Sequence, residues 1–178
     1  MQHPSDPSAS LHQALFDRRI VMVSGAVDGD KAGQVASALI SLDAMGDDPI
    51  ELRLSAESDS LDVAFSLMDI IRTLDAPVNA TVAGSVGGTM VGVLAVCRRR
   101  RIGGFGQLHL REPRAELTGV AAELERQATD MTNRVELFAR RMAEATGRPF
   151  EHVEADLRTG RHLDAAAALA YGIVDEVQ

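Results

Sequence analysis

The chain of 178 residues has few aromatic residues and a single cysteine. Tryptophan is absent, and aromatic residues make up 3% of the sequence, so the chain lacks the stacking platforms that bind single-stranded nucleic acids. Its formal net charge of -8 also disfavours a surface that must neutralise phosphates. We therefore expect no nucleic-acid partner. The one cysteine, Cys97, cannot form an internal disulfide, which is typical of a reducing compartment.

Long apolar runs are also missing. None reaches the roughly 18 residues of a membrane helix, and the first ten residues, MQHPSDPSAS, lack the charged and apolar regions of a signal peptide. We therefore expect a cytoplasmic protein without a membrane partner. Residues 1–14 are predicted to be a flexible tail before one domain at 15–178, because the first ten have almost nothing to bury. His152 and His162 lack the spacing of a metal site, and we expect neither metal nor cofactor.

The periodicity of apolar residues changes repeatedly along the chain. Short apolar or alternating runs predict strands, and apolar residues every three or four positions predict helices. The predicted strands are Arg19–Val23, Ile50–Leu54, Ala80–Ala83, Gln107–Arg111 and Ile173–Val177, and the predicted helices are Asp28–Leu42, Leu61–Leu74, Thr89–Val96, Val120–Thr146, Phe150–Leu157 and Ala165–Ala170. Because the intervening segments are long enough for parallel crossovers, this order predicts an α/β fold.

The stretch from Asn79 to Gly104 has the pattern of a reactive site. A strand leads into a glycine-rich turn and then into an apolar helix that ends at four arginines, Arg98 to Arg101. Unpaired N–H groups at such a helix start favour an anion. A nucleophile elbow carries Ser or Cys at this corner, whereas this corner is Gly87-Gly88-Thr89. The arginines are interpreted as a solvated helix end, with an acidic or nucleic-acid partner as the alternative.

Several segments resemble the proteolytic subunit of the ATP-dependent Clp protease, over nearly the whole chain after residue 14. The resemblance is carried by LFDRRIVMVSGAVDGDKAGQVASALISLDA, LMDIIRTLDAPVNATVAG and ATGRPFEHVEADLRTGRHLDAAAALAYGIVDEV. The last segment is the most specific, because its spacing from Gly147 to the AYGIVDEV ending follows the family without a gap. The resemblance implies a crotonase-like fold of layered parallel β-sheets with crossover helices and a projecting handle helix.

The resemblance places two of the family's three catalytic residues on other residue types. The serine falls on Gly88, or on Gly87 if a short deletion is placed differently, and the histidine falls on Arg111. Only the aspartate is kept, as Asp156. No covalent intermediate can form without a hydroxyl or thiol at the corner, and a guanidinium stays protonated at neutral pH and cannot act as a base.

The glycine pair of the family's oxyanion loop is also replaced. It corresponds to Ser58 and Asp59, and a carboxylate there would repel the anion that catalysis must stabilise. Arg111 is interpreted as a structural partner of Asp156, with a solvated arginine as the alternative.

A shifted catalytic pair of Thr89 with His109 is the alternative to inactivity. His109 lies two residues before Arg111 on the same predicted strand, so it is displaced by about 7 Å, and catalytic geometry tolerates much less. Thr89 is more readily interpreted as the N-cap of the buried helix.

The predicted helix Val120–Thr146 is the candidate assembly element. In the family it projects as a handle that interlocks two rings of seven subunits. Here its apolar residues would contact another copy, or alternatively only their own core; they are Leu124, Met131, Val135, Phe138 and Met142. The resemblance implies a homo-oligomeric ring or a mixed ring with an active paralogue. It leaves open whether an ATP-driven unfoldase docks.

Two classes of function are compatible with these residues. One is an inactive structural or regulatory subunit of a Clp-type ring. The other is a working enzyme, either a serine/threonine-type peptidase with a shifted triad or a crotonase-like enzyme that holds an acyl thioester on its glycine-rich backbone. The inactive subunit is predicted, because one cause then explains all three departures, whereas the thioester enzyme needs a coenzyme A site that the sequence does not reveal.

Overall fold

The computed structural model describes residues 7–114 and 118–178, which form eight strands and seven helices. The strands are β1 (Ile20–Ala26), β2 (Ile50–Ser58), β3 (Val78–Val82), β4 (Ser85–Gly88), β5 (Arg99–Ile102), β6 (Gln107–Leu110), β7 (Arg161–Asp164) and β8 (Glu176–Val177). The helices are α1 (Pro7–Phe16), α2 (Gly29–Ala44), α3 (Leu61–Thr73), α4 (Met90–Ala95), α5 (Ala121–Thr146), α6 (Phe150–Thr159) and α7 (Ala165–Tyr171).

The eight strands form one sheet around β2. This strand pairs in parallel with β1, with β3 along its first half and with β4 at its end. The other parallel pairings are β3 with β5, β4 with β6 and β5 with β8, while β6 and β7 are antiparallel. The predicted α/β fold of parallel strands and crossover helices is confirmed.

Alternation along β2 shows why this segment is a strand. Ile50, Leu52 and Leu54 are buried, whereas Glu51 and Arg53 between them are half-buried. Successive side chains of a strand point to opposite faces, so one face of the sheet enters the hydrophobic core and the other carries charges.

Helix α4 brings the handle helix α5 onto the core. All six residues of α4 are buried, and a Cβ built on Gly92 would lie 2.4 Å from Cε2 of Phe138. The absence of a side chain at Gly92 therefore lets the aromatic ring of α5 reach the backbone of α4.

Residues 7–14 of the predicted tail belong to helix α1, so this part of the predicted tail has regular secondary structure. The end of this helix is anchored because Phe16 packs against the core, and Gln13 donates a hydrogen bond of 2.7 Å to Asp17. The remainder of that prediction, residues 1–6, lies outside the described residues.

Three of the four arginines, Arg99 to Arg101, belong to strand β5 and not to a solvated helix end. Each of them reaches a carboxylate, which allows like charges to lie in one short strand. The pairs are Arg99 with Glu176 at 3.1 Å, Arg100 Nε with Asp175 at 3.1 Å and Arg101 with Glu51 at 2.6 Å.

Helix α5 has two unlike halves. Its first ten residues are mostly exposed, whereas Phe138 and Met142 in its second half are 0% exposed. The prediction that these two residues contact another copy is therefore wrong, since they fill their own core. Met131 and Val135 are partly buried against that core, which leaves Leu124, half-buried in the first half, as the remaining predicted contact.

Candidate functional site

The chain turns from β4 into α4 at Gly88, the corner where a nucleophile elbow carries its nucleophile. Gly88 has φ +59°, in the left-handed region that favours glycine. A Cβ built there would lie 2.1 Å from the carbonyl oxygen of Ser58 and 3.4 Å from Cζ of Arg111. The backbone of this corner therefore accommodates glycine only, and a carbonyl group and a guanidinium border the space that a side chain would need.

The carbonyl of Ser58 closes the predicted anion site. It accepts a hydrogen bond of 2.8 Å from the backbone N–H of Thr89, the residue that follows Gly88. The hydroxyl of Ser58 donates to the carbonyl of Val27 at 2.7 Å, which holds the loop in place. An oxyanion hole needs N–H donors aimed at the developing charge, and here the N–H of Thr89 binds the protein itself.

Thr89 is the N-cap residue of α4, as predicted, but its side chain does not cap the helix. Its hydroxyl lies 3.2 Å from the carbonyl oxygen of Ser58 and 3.0 Å from that of Ser60, and the residue is 0% exposed. A nucleophilic hydroxyl needs an adjacent base and access to substrate. The geometry of Thr89 supplies neither.

Arg111 pairs with the end of β2 and not with Asp156, so the predicted bridge between them is wrong. Its Nη2 lies 3.3 Å from Oε2 of Glu57, and its Nη1 contacts Oδ1 of Asp59. These two carboxylates lie beside the corner at Gly88 and form ion pairs with the guanidinium of Arg111. Asp59, which the resemblance aligns with the family's oxyanion loop, is thus a counter-ion of Arg111.

Asp156 on α6 has a different cation. Both of its carboxylate oxygens accept hydrogen bonds of 3.1 Å from Arg161. The ring of Tyr171 lies beneath the guanidinium of Arg148, 4.0 Å from its Cζ. Burial, followed by the interaction with Asp156, raises the pKa of Tyr171. The carboxylate thus joins α6 to β7 and α7.

His109 lies opposite Gly87 in the β4–β6 pairing and opposite His162 in the β6–β7 pairing. The two imidazole rings stack with centroids 3.8 Å apart and planes inclined by 14°. The hydroxyl of Thr89 instead contacts carbonyl groups, so the structure does not join Thr89 to His109 as a catalytic pair.

The environment of His109 favours its neutral form. Burial lowers the pKa of this imidazole, and electrostatic interactions with His162 and Arg114 lower it further. The carboxylate of Glu57 acts in the opposite direction.

The described residues offer neither a reactive thiol nor a cluster of metal ligands. Burial raises the pKa of Cys97 to about 12, so this thiol stays protonated at neutral pH. In residues 7–114 and 118–178, no three His, Cys, Asp or Glu side chains are grouped to hold a metal ion. The helices described in these ranges include none that is long and apolar enough to cross a bilayer.

Sequence reasoning missed the residues that complete this site, namely Glu57, Arg161 and His162. Glu57 could have been found, because it continues the charged face of β2 two strand positions beyond Ser55. Arg161 and His162 could not, since β7 was not predicted and its antiparallel pairing with β6 is what brings them to the site.

Comparison with known proteins gives matches over most of the chain. A family model described as Clp protease matches residues 5–178. ATP-dependent Clp protease proteolytic subunit 2 of Gluconobacter oxydans is 27% identical over 177 residues, which is 97% of this chain and 79% of that protein. Proteolytic subunit 3 of Rhizobium etli is 27% identical, and that of Rhizobium meliloti 28% identical, each over 165 residues; both alignments cover 92% of this chain and 85% of the relative.

Proposed function

This chain belongs to the Clp protease family, and we propose that it is a catalytically inactive subunit with a structural or regulatory role in a Clp-type proteolytic assembly. The observation that carries the proposal is the closed corner at Gly88. The residue has no nucleophile, and a Cβ there would overlap the carbonyl oxygen of Ser58 at 2.1 Å. Peptide hydrolysis by this family's covalent route would therefore need a different backbone as well as a different side chain.

Three independent features support the inactivity. The position aligned with the family's nucleophile is Gly88, which has no side chain. The position aligned with the histidine is Arg111, which forms ion pairs with Glu57 and Asp59. The backbone N–H of Thr89 donates its hydrogen bond to the carbonyl oxygen of Ser58. Members of a catalytic triad act as a unit, so loss of the nucleophile or of the base alone costs a factor on the order of a million in kcat. Retention of Asp156 cannot compensate for these losses.

The exposed first half of α5 supports a role in assembly. This half extends beyond the part of the helix that Phe138 and Met142 fix to the core, and it leaves Leu124 partly exposed. Leu137 is 44% exposed on the second half. We extend to this chain the homo-oligomeric ring, or a mixed ring with an active proteolytic subunit, that the family resemblance implies. A heptameric ring, a docked ATP-driven unfoldase and a cytoplasmic location belong to the same proposal.

Activity is tested with the purified chain, a fluorogenic peptide and a serine-reactive fluorophosphonate probe. We expect neither turnover nor labelling by the chain alone, while an active Clp proteolytic subunit assayed in parallel shows both. An Arg111→Ala variant removes the guanidinium without adding a nucleophile and should remain unlabelled. Turnover by the wild-type chain that Thr89→Ala abolishes would refute the proposal in favour of a shifted catalytic pair.

Assembly is tested by light scattering on the chain alone and after mixing with an active proteolytic subunit. We expect a species larger than a monomer in at least one of these samples. Leu124→Glu should reduce its amount, whereas Ile40→Glu, the same change at an exposed position of α2, should not. A monomer in both samples contradicts the assembly role but leaves the inactivity untouched.

A further inference from the structure

The stacked rings of His109 and His162 lie at the boundary of two clefts. The first cleft has a volume of about 320 Å³ and the second about 340 Å³, and His109 lines both. Polar residues of the first include Ser55, Glu57, Ser85 and Gln107; charged residues of the second are Arg111, Glu112, Arg114 and Arg158. His109 therefore lies between a polar cleft and a cleft with three arginines, and His162, stacked on it, lines the polar cleft.

The pair also lies on the one antiparallel pairing of the described sheet. Strand β7 has four residues, and His162 faces His109 in direct register with it. Beside them Leu163 is buried against its partner Leu108, while Asp164 accepts a hydrogen bond of 2.8 Å from the N–H of Ala167 and so begins α7. His162 therefore lies in a short strand that Leu163 fixes to the core and Asp164 joins to α7.

We propose that the His109–His162 pair is a proton-operated partition, which separates the two clefts when the rings are stacked and joins them when both rings are protonated. Two imidazolium charges with ring centroids 3.8 Å apart repel each other, whereas a neutral pair or a singly charged pair can stack. His162 is exposed whereas His109 is half-buried, so rotation of His162 away from His109 relieves the repulsion. The clefts then form one groove from the polar face of the sheet to the end of α6.

Charged groups on the neighbouring elements decide when this happens. Glu57 on β2 favours protonation of His109, whereas Arg114, which follows β6, opposes it. Arg111 and Glu112 lie between His109 and Arg114 in the sequence and line the second cleft, which Arg158 faces from α6. Arg111 is bound by Glu57 and Asp59, and Arg158 by Glu154 at 2.9 Å, so their charges are partly compensated.

The direction of the pH effect follows from the lowered pKa of His109. The folded, stacked state binds fewer protons than a state with separated rings, so protons favour separation. The stack is fully stabilised above about pH 6.5, the ordinary pKa of histidine. It weakens progressively as the pH falls below that value.

The test combines histidine NMR titration with amide hydrogen exchange of β6 and β7 in the full-length chain. We expect His109 to titrate below its ordinary range. Exchange in β7, corrected for the intrinsic effect of pH, should be about tenfold faster at pH 5 than at pH 7.5. His162→Phe keeps an aromatic ring without a titrating group and should remove this pH dependence. His152→Gln, which changes an exposed histidine of α6, should behave as the wild type.

Three results would overturn the proposal. The first is protection of β7 that does not change between the two pH values in the wild-type chain. The second is a pH dependence that persists unchanged in His162→Phe, because the titrating group would then lie elsewhere. The third is loss of the pH dependence in His152→Gln as well as in His162→Phe, which would indicate that acid loosens the structure through α6 and not through the stacked rings.

Discussion

A serine at Gly88, where the resemblance aligns the family's nucleophile, should destabilise the protein without giving it activity. In Gly88→Ser the new Cβ would have to occupy a site 2.1 Å from the carbonyl oxygen of Ser58, at a φ of +59°. The carbonyl must therefore move, and its hydrogen bonds from Thr89 are lost or lengthened. The guanidinium of Arg111, 3.4 Å away, is at an ordinary contact distance and is not the obstacle.

The expected cost is the sum of two terms. The left-handed conformation costs a residue with a Cβ about 1–2 kcal/mol relative to glycine. Loss of the backbone and hydroxyl hydrogen bonds of Thr89 to Ser58 removes about 1 kcal/mol each. The free energy of unfolding should therefore fall by about 3–4 kcal/mol, which is a large part of the 5–15 kcal/mol typical of a domain.

Urea denaturation followed by circular dichroism measures this change. With a slope of about 2–3 kcal/mol per molar urea, the midpoint should move down by about 1–2 M. Gly33→Ser is the matched control, because a Cβ at Gly33 meets no atom within 4 Å, and its midpoint should stay the same or rise slightly. An unchanged midpoint in Gly88→Ser, or fluorophosphonate labelling of Gly88→Ser combined with Arg111→His, would show that the corner can open and that our reasoning about its geometry is wrong.

Two further changes probe the elements that hold the site. Gly92→Ala places a Cβ 2.4 Å from the ring of Phe138, and overpacking of about 1–3 kcal/mol should lower the thermal midpoint by several degrees; an unchanged midpoint means that α5 shifts without cost. Arg100→Lys removes a guanidinium that donates to Asp175 and to the carbonyl groups of Ala145 and Gly172. Burial alone would raise the pKa of Asp175, but the hydrogen bonds from Arg100 lower it, so this pair stabilises the fold above about pH 4 and less below it. Arg100→Lys should therefore shift acid unfolding to higher pH, and coincident acid titrations of the two proteins would argue against this role of the pair.

The long periodic elements were predictable, and so were the short strands β3 and β6, whereas β4, β5 and β7 were not. Helices α2, α3 and α5 begin and end within two residues of their predictions, because each has an apolar stripe and a clear start or stop. Strand β5 was missed because four consecutive arginines show no apolar pattern; its stability depends on carboxylates distant in the chain. Strand β7 was missed for a similar reason, since only Leu163 of its four residues is buried.

At the site, the sequence predicted Gly88, Arg111 and Asp156 but not the partners of the last two. The absence of a nucleophilic side chain at Gly88 follows from the amino-acid sequence alone. Whether Arg111 pairs with Asp156 or with the carboxylates at the end of β2 depends on how far β2 extends. In the structure β2 continues to Ser58, four residues beyond its predicted end. That extension brings Glu57 and Asp59 to the guanidinium.

The pairing of Asp156 gives this aspartate a structural role that does not depend on catalysis. Its carboxylate, with the side chain 18% exposed, binds Arg161, and Arg161 also lies over the ring of Tyr171 at 5.5 Å. Arg148 covers the same ring and donates to the carbonyl groups of Ala170 and Tyr171. Removing the carboxylate would leave a cation beside a buried phenol without its partner, a structural penalty that is independent of any chemistry at Gly88. Asp156, which the resemblance aligns with the family's aspartate, is therefore weak support for activity when its cation is supplied by the next strand, and the proposed inactivity depends on the corner at Gly88.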